Sequence, residues 1–225
     1  MLGCCLAIGA VAAPVRKLPL DSLRPTQYSY GADEVALKRR KLERIVEAVG
    51  SLGAYKREHP GQIVLGPGGE PYLVDGHHLA RALLERGSRT MFVEVLADWS
   101  YLDLERFAER MVAAGYCYLR DRGVPRPWEQ LPRTIDQMTD DAHRTLAWLV
   151  REAGGYRRLD VPYQEFAWAE FLRHRLAIHE KPDWNALTTT GVALAQSDAA
   201  RGLPGWSGKE PDTTDSNNCA SLVAP

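Results

Sequence analysis

Apolar residues recur along this chain with two periods, and the balance between them shifts near residue 98. Before that point, short β-favouring runs alternate with stretches of helical spacing. Residues 15–20 alternate around Arg16 and Lys17 and predict a first strand. Pro25 ends it, because proline pushes the preceding Arg24 out of the helical region, and residues 28–31 read as a loop. From Asp33, a natural cap, Val35, Leu42, Ile45, Val46 and Val49 form one stripe of a helix that closes near Gly50 or Gly53. Residues 55–61 read as a polar link. Two apolar runs, 63–65 and 72–74, flank Gly66-Pro67-Gly68-Gly69 and predict a hairpin. Asp75-Gly76 then turns the chain into a helix on which Leu79, Ala82 and Leu83 share a face, with Gly87 as its closing cap. Residues 91–96, rich in valine, predict a further strand in the middle of the sheet.

After Asp98 the pattern is helical and no strand is predicted. Helices are expected over 101–114, 128–138, 141–152, 163–179 and 185–200, with Ser100 or Asp103, Thr139 and Asp183 as caps. From Leu203 onward the chain turns polar and reads as disordered. The expected fold class is α+β: a small mixed sheet followed by an all-helical half. The expected division is an N-terminal run at 1–14, an α/β domain at 15–98, a helical subdomain at 99–202 packed on it through aromatics such as Trp128, Trp148 and Trp168, and a tail at 203–225.

Composition narrows the function classes. With 225 residues, 45% hydrophobic and 25% charged, the chain has the make-up of an ordinary globular protein. A formal net charge of −1 argues against a generally basic nucleic-acid binder. The cysteines, at 4, 5, 117 and 219, form no Cys-x-x-Cys pair and no disulfide framework. Residues 2–13 are apolar and small and end in Ala10-Val11-Ala12-Ala13, similar to a secretory cleavage region but shorter and without a preceding basic residue. The compartment therefore stays open between the cytoplasm and, for a truncated signal, the periplasm or exterior. The run is too short to span a membrane.

The densest chemistry is Asp75-Gly76-His77-His78. A strand, one glycine and a helix start leave free N–H groups at the positive end of a helix dipole, which suits an anion. Two imidazoles there can hold that anion, move a proton or bind a metal, although neighbours on a helix point about 100° apart, so only one can face a site squarely. Glu34 and Lys38 are spaced i, i+4, the spacing of an ordinary helix ion pair. Thr26 and Gln27 offer hydrogen-bonding side chains in the loop before them. Lys38-Arg39-Arg40-Lys41 is a solvated helix face or a phosphate-facing one. No phosphate-binding Gly-x-x-x-x-Gly-Lys loop, Gly-x-Gly-x-x-Gly, Gly-x-Ser-x-Gly or His-Glu-x-x-His occurs.

Three blocks, Leu23-Arg24-Pro25-Thr26-Gln27, the helix carrying Glu34, Val35, Lys38 and Lys41, and Val74-Asp75-Gly76-His77-His78-Leu79-Ala80-Arg81-Ala82-Leu83, resemble the ParB/sulfiredoxin superfamily. The likeness is strongest to its branch of ParB-like nucleases, and the helical half also looks like that branch. The resemblance implies a small mixed sheet with a phosphate or nucleotide pocket over the Asp75–His78 turn. Superfamily members grip CTP or ATP there, and they include DNA clamps, sulfinic-acid reductases and free-serine kinases. It places Glu34 as the candidate base. Two departures stand out. The usual Gly-x-x-Arg turn has Leu79 where arginine is expected, with Arg81 two residues on, about 200° around the helix. The reductases' catalytic cysteine is replaced by His77, which argues against that reaction.

The expected partner is a small anionic or phosphorylated ligand, with ATP, ADP or CTP and Mg2+ as expected cofactors if the ligand is a nucleotide. Glu34, His77 and His78 are the candidate catalytic residues, and Thr26, Gln27, Lys38, Asp75, Gly76 and Arg81 the candidate ligand contacts. No residue is assigned to a protein-held metal. Three classes stay open: a small-molecule kinase or phosphohydrolase, a metal-dependent nuclease, and a non-catalytic secreted or interaction protein on the same scaffold.

Overall fold

The computed structural model describes residues 15–208. The predictions for 1–14 and for 209–225 lie outside them. The chain forms two compact units, one up to Asp140 and one from Asp141.

In the first unit, five strands make one mixed sheet: β1 (Arg16–Pro19), β2 (Arg24–Pro25), β4 (Gly61–Leu65), β5 (Pro71–Asp75) and β6 (Thr90–Asp98), in the order β1-β6-β4-β5-β2. β4 and β5 are the predicted antiparallel hairpin, β4 and β6 run parallel, and β1 closes one edge antiparallel to β6. β2 lies parallel to β5, with Pro25 opposite Leu73. An edge strand tolerates proline because one side of it needs no ladder donor. The α+β class and the mixed sheet thus follow the sequence expectation.

The pleat sends successive residues to opposite faces. Ile63, Leu73, Met91 and Val93 pack with Val35 and Leu42 of α1 (Ala32–Val49) and with Ala80 and Leu83 of α3 (His77–Glu85). Val64 and Tyr72 face the other way, onto Phe107 and Met111 of α4 (Leu104–Ala113). Trp128 joins this second cluster, 5.7 Å from Tyr72. Burial on both faces holds β4 and β5 in a fixed register.

Several elements differ from expectation. The expected helix at 128–138 is two separate 3-10 turns, Trp128–Gln130 and Ile135–Gln137. Pro132 explains the break: it offers no N–H and forces Leu131 into extended backbone, at ψ 140°. The supposed link after α1 contains a short helix, α2 (Gly53–Glu58). Val49, expected in the α1 stripe, is 69% exposed. Strands do follow residue 98: β7 (Arg120–Asp121) and β8 (Val124–Pro125) form a small hairpin, and β9 (Thr139–Asp140) pairs in parallel with β3 (Ser29–Tyr30). The α1 cap also differs. Asp33 lies inside the helix, Gly31 occupies the capping position, and Asp140 Oδ1 accepts from Ala32 N–H at 2.8 Å.

The second unit holds α5 (Ala142–Glu152), α6 (Gln164–Arg173) and α7 (Trp184–Gln196). Its core joins Leu146, Val150, Tyr156, Trp168, Leu172 and Ala195. Asp141 and Asp183 cap α5 and α7. Residues 203–208, expected in the polar tail, are bound into this unit: Gly205 O accepts from Arg157 N–H at 2.8 Å, and Trp206 Nε1–H donates to Ser197 O at 3.0 Å. His143 donates through Nε2 to Leu176 O and accepts at Nδ1 from Arg173. Burial, and secondarily the adjacent guanidinium, lowers its pKa from the usual histidine value, so the ring is held neutral.

Candidate functional site

The site grows out of the β5–α3 turn. Gly76 stands at the N-terminal cap of α3 with φ +96°, a left-handed conformation that glycine adopts without strain. A Cβ here would also lie 3.1 Å from Gly61 Cα and 3.1 Å from Met91 Cε. Gly76 thus lets α3 start flush against β4. Gly76→Ala is expected to destabilise the protein by about 1–3 kcal/mol, read from denaturant unfolding followed by circular dichroism. Gly87→Ala is the control: its φ is +80° but the space around it is open, so its cost should be the smaller. Equal losses would show that crowding at Gly61 contributes nothing.

The two histidines point apart, as helix geometry requires. His77 is buried at 4% exposure, and its Nε2 accepts the Thr26 N–H at 3.2 Å. Thr26 Oγ1 donates to Leu73 O at 2.7 Å, so this pair fastens the loop after β2 to the end of β5. Gln27, also buried, donates to Ser29 O at 2.9 Å.

His78 faces α1. Its Nε2 lies 3.1 Å from Gly31 N and 3.3 Å from Glu34 Oε2. Glu34 is 4% exposed, and its Oε1 meets Lys38 Nζ at 3.2 Å, the ion pair that the i, i+4 spacing predicts. Oε2 is buried and receives no hydrogen bond from the described residues. One imidazole nitrogen therefore serves two neighbours with opposite needs. With its lone pair free, Nε2 takes the Gly31 N–H and gives Glu34 nothing. With a proton, it can donate to Glu34, and the Gly31 N–H loses this acceptor. A proton placed between carboxylate and imidazole at this separation is the arrangement used for acid–base work.

The remaining predicted residues do not join this cluster closely. Asp75, the last residue of β5, is exposed. Arg81 lies along α3: Nε pairs with Glu85 at 2.8 Å, Nη1 donates to Ile135 O and Asp136 O, and the guanidinium sits over the Tyr30 ring. It anchors the 135–137 turn. Glu34, Lys38 and His78 are brought together, Thr26 and His77 brace them, and Arg81 is engaged elsewhere. The Gly31 N–H and the Asp140 cap were absent from the sequence reading, because a backbone donor and a partner over a hundred residues away leave no local signal. Among the described residues no group of three or more His, Cys, Asp or Glu side chains is arranged to hold a metal ion. None of their helices is long and apolar enough to cross a membrane.

A family model described as "Putative ParB-like nuclease" matches residues 16–174. Among solved structures, protein Atu1540 from Agrobacterium tumefaciens is 33% identical, with a TM-score of 0.79 over 88% of this chain and 98% of its own. The C-terminally truncated chromosome-partitioning protein ParB from Caulobacter crescentus, complexed with CTP-gamma-S, is 14% identical over 83% of this chain and 94% of its own, with a TM-score of 0.28. That second likeness is too slight to argue from. No curated protein matches the sequence.

Proposed function

The chain belongs to the ParB-like family whose model spans residues 16–174, and from that membership we propose that it binds a small phosphate-bearing ligand, a nucleotide in the first instance, at the N-terminal turn of α3 and transfers or hydrolyses a phosphoryl group there. The observation that carries this reading is the Glu34–His78–Lys38 cluster, a buried carboxylate between an imidazole and an ammonium. Glu34 is the proton acceptor for an attacking hydroxyl or water, Lys38 balances charge developing on the phosphoryl oxygens, and His78 relays the proton. The first-turn amides of α3, which have no side-chain cap, are the phosphate cradle. Thr26, Gln27 and His77 hold that cradle in shape. If the nucleotide arrives with Mg2+, the exposed carboxylate of Asp75 is the group that would hold it, and the ion would offset phosphate charge. With Arg81 bound to backbone carbonyls, the turn suits one phosphate group better than an extended triphosphate.

The test is calorimetric titration of the full chain with ATP, ADP and CTP, with and without Mg2+. Binding of at least one at millimolar concentration is expected, weakened about tenfold (~1.4 kcal/mol) in His78→Ala. Absence of heat with all three sinks the proposal.

A second reading rests on a different observation: both Nε2 atoms take backbone N–H groups, and Glu34 is nearly inaccessible. Under it the cluster locks residues 26–31 onto α3, and the chain is a non-catalytic scaffold. Cleavage of nucleic acid, the activity in the family's description, is the reading that charge supports least, since a formal net charge of −1 gives little general attraction for a polyanion.

A further inference from the structure

A cleft lies in the first unit, apart from the α3 turn. Its volume is about 660 Å3, and Tyr28, Asp121, Arg126, Gln130, Arg133 and Thr139 line it. Its lining does not include Glu34, Lys38, His77 or His78.

The walls are well fastened. The β7–β8 hairpin turns on Arg122 and Gly123, with φ of +48° and +81°. A non-glycine residue with positive φ is disfavoured, and here Arg122 Nη2 is held by Asp140 O at 2.7 Å. Tyr28 Oη donates to Pro127 O at 2.5 Å, and Gln137 Oε1 accepts the Arg133 N–H at 2.9 Å. Burial, more than any nearby charge, pushes the Tyr28 hydroxyl up to about 12, so it stays a neutral donor.

Within these walls the charged groups are unevenly used. Arg120 and Arg122 are spent on backbone carbonyls, Gly123 O and Asp140 O. Arg126 and Arg133 are different: among the described residues neither guanidinium has an acidic partner within 4.0 Å or a hydrogen-bonded acceptor. In the same cleft Asp121 Oδ1 is buried with no hydrogen bond. Asp121 also lines the cleft, so its carboxylate places an acceptor there alongside the two cations. Two open guanidinium forks call for an oxyanion, which they bind in bidentate fashion.

We propose that this cleft is a binding site for a small oxyanion that also carries a hydroxyl or amino group, with Arg126 and Arg133 on the phosphate or carboxylate and Asp121 on the donor. The site is separate from the α3 turn and does not depend on the function proposed for it.

Calorimetry with inorganic phosphate, glycerol 3-phosphate and glycerate tests the idea on the full chain. Glycerol 3-phosphate should bind more tightly than inorganic phosphate. Arg126→Ala and Arg133→Ala should each weaken it about tenfold, and Arg126→Lys, which keeps the charge without the fork, by less. Asp121→Ala should bring glycerol 3-phosphate down to the affinity of inorganic phosphate and leave the latter unchanged. Tighter binding of glycerate than glycerol 3-phosphate would assign the head group as carboxylate. Circular dichroism confirms that each variant is folded. The proposal is overturned if no probe gives heat at about 10 mM, a concentration that detects even millimolar affinity. It is also overturned if the Arg126→Ala/Arg133→Ala variant binds like wild type, or if the binding is lost in His78→Ala and kept in that double variant, which would move it to the α3 turn.

Discussion

Exchanging Glu34 for glutamine is expected, on the phosphoryl chemistry proposed above, to lower turnover by about 10²–10⁴-fold, the usual share of a positioned general base. The substitution is nearly isosteric, so the buried site should keep its packing. It removes the charge that faces Lys38 at 3.2 Å and His78 Nε2 at 3.3 Å. Stability should change little, because the Lys38 end of the pair is partly exposed and such helix pairs contribute a few tenths of a kcal/mol. The measurement is single-turnover hydrolysis of whichever nucleotide calorimetry identifies, alongside a thermal melt. Turnover within about threefold of wild type, a change too small for a lost general base, would remove Glu34 from the chemistry and favour the scaffold reading. A large loss of both activity and stability would indicate that Glu34 matters chiefly as a buried strut.

The largest loss of stability is expected from Trp168→Ala. Trp168 is fully buried, stacked on Tyr156 at 4.2 Å between ring centroids and edge-on to Phe171 at 5.6 Å. Truncating a buried tryptophan leaves a cavity and costs about 3–5 kcal/mol. The indole Nε1–H also donates to Pro204 O at 2.8 Å, a carbonyl that Gln164 shares. The variant should therefore loosen residues 203–208 before the rest of the second unit melts. Urea unfolding by circular dichroism gives the total, and amide hydrogen exchange at Arg157 and Trp206 reports the local effect. A loss below about 1 kcal/mol would contradict the packing described.

The hairpin, α1 and α3 were legible in the sequence because each is written locally: uninterrupted β-favouring apolar runs at 63–65 and 72–74, a period near 3.6 in α1, and a glycine where the backbone must turn. The errors also have local causes. Periodicity over 128–138 was real, yet Pro132 overrode it, and the two 3-10 turns keep Ile135 and Met138 buried without a helix. Residues 203–208 looked polar and free, but Trp206 and two backbone carbonyls tie them down. At the site, spacing alone paired Glu34 with Lys38, and helix geometry alone separated His77 from His78. Nothing local could bring His78 to Glu34, and only the family resemblance suggested it. The redirection of Arg81 onto Ile135 and Asp136 was hidden for the same reason. The Arg126–Arg133 cleft was hidden because its two guanidinium groups gain meaning only once the fold brings them and Asp121 to line one cavity.

The long-range cap on α1 has a consequence for how the first unit is made. Ala32 and Asp140 are 108 residues apart, and β1 must wait for β6 before it has a partner. Contacts of such separation close large loops and slow the search for the native state. A ribosome delivers α1 long before the carboxylate that finishes its first turn. Until Asp140 has emerged, the first turn of α1, which carries Glu34, lacks this cap. Arrival of activity or ligand affinity during refolding should thus lag behind the helical signal and coincide with closure of the β3–β9 ladder.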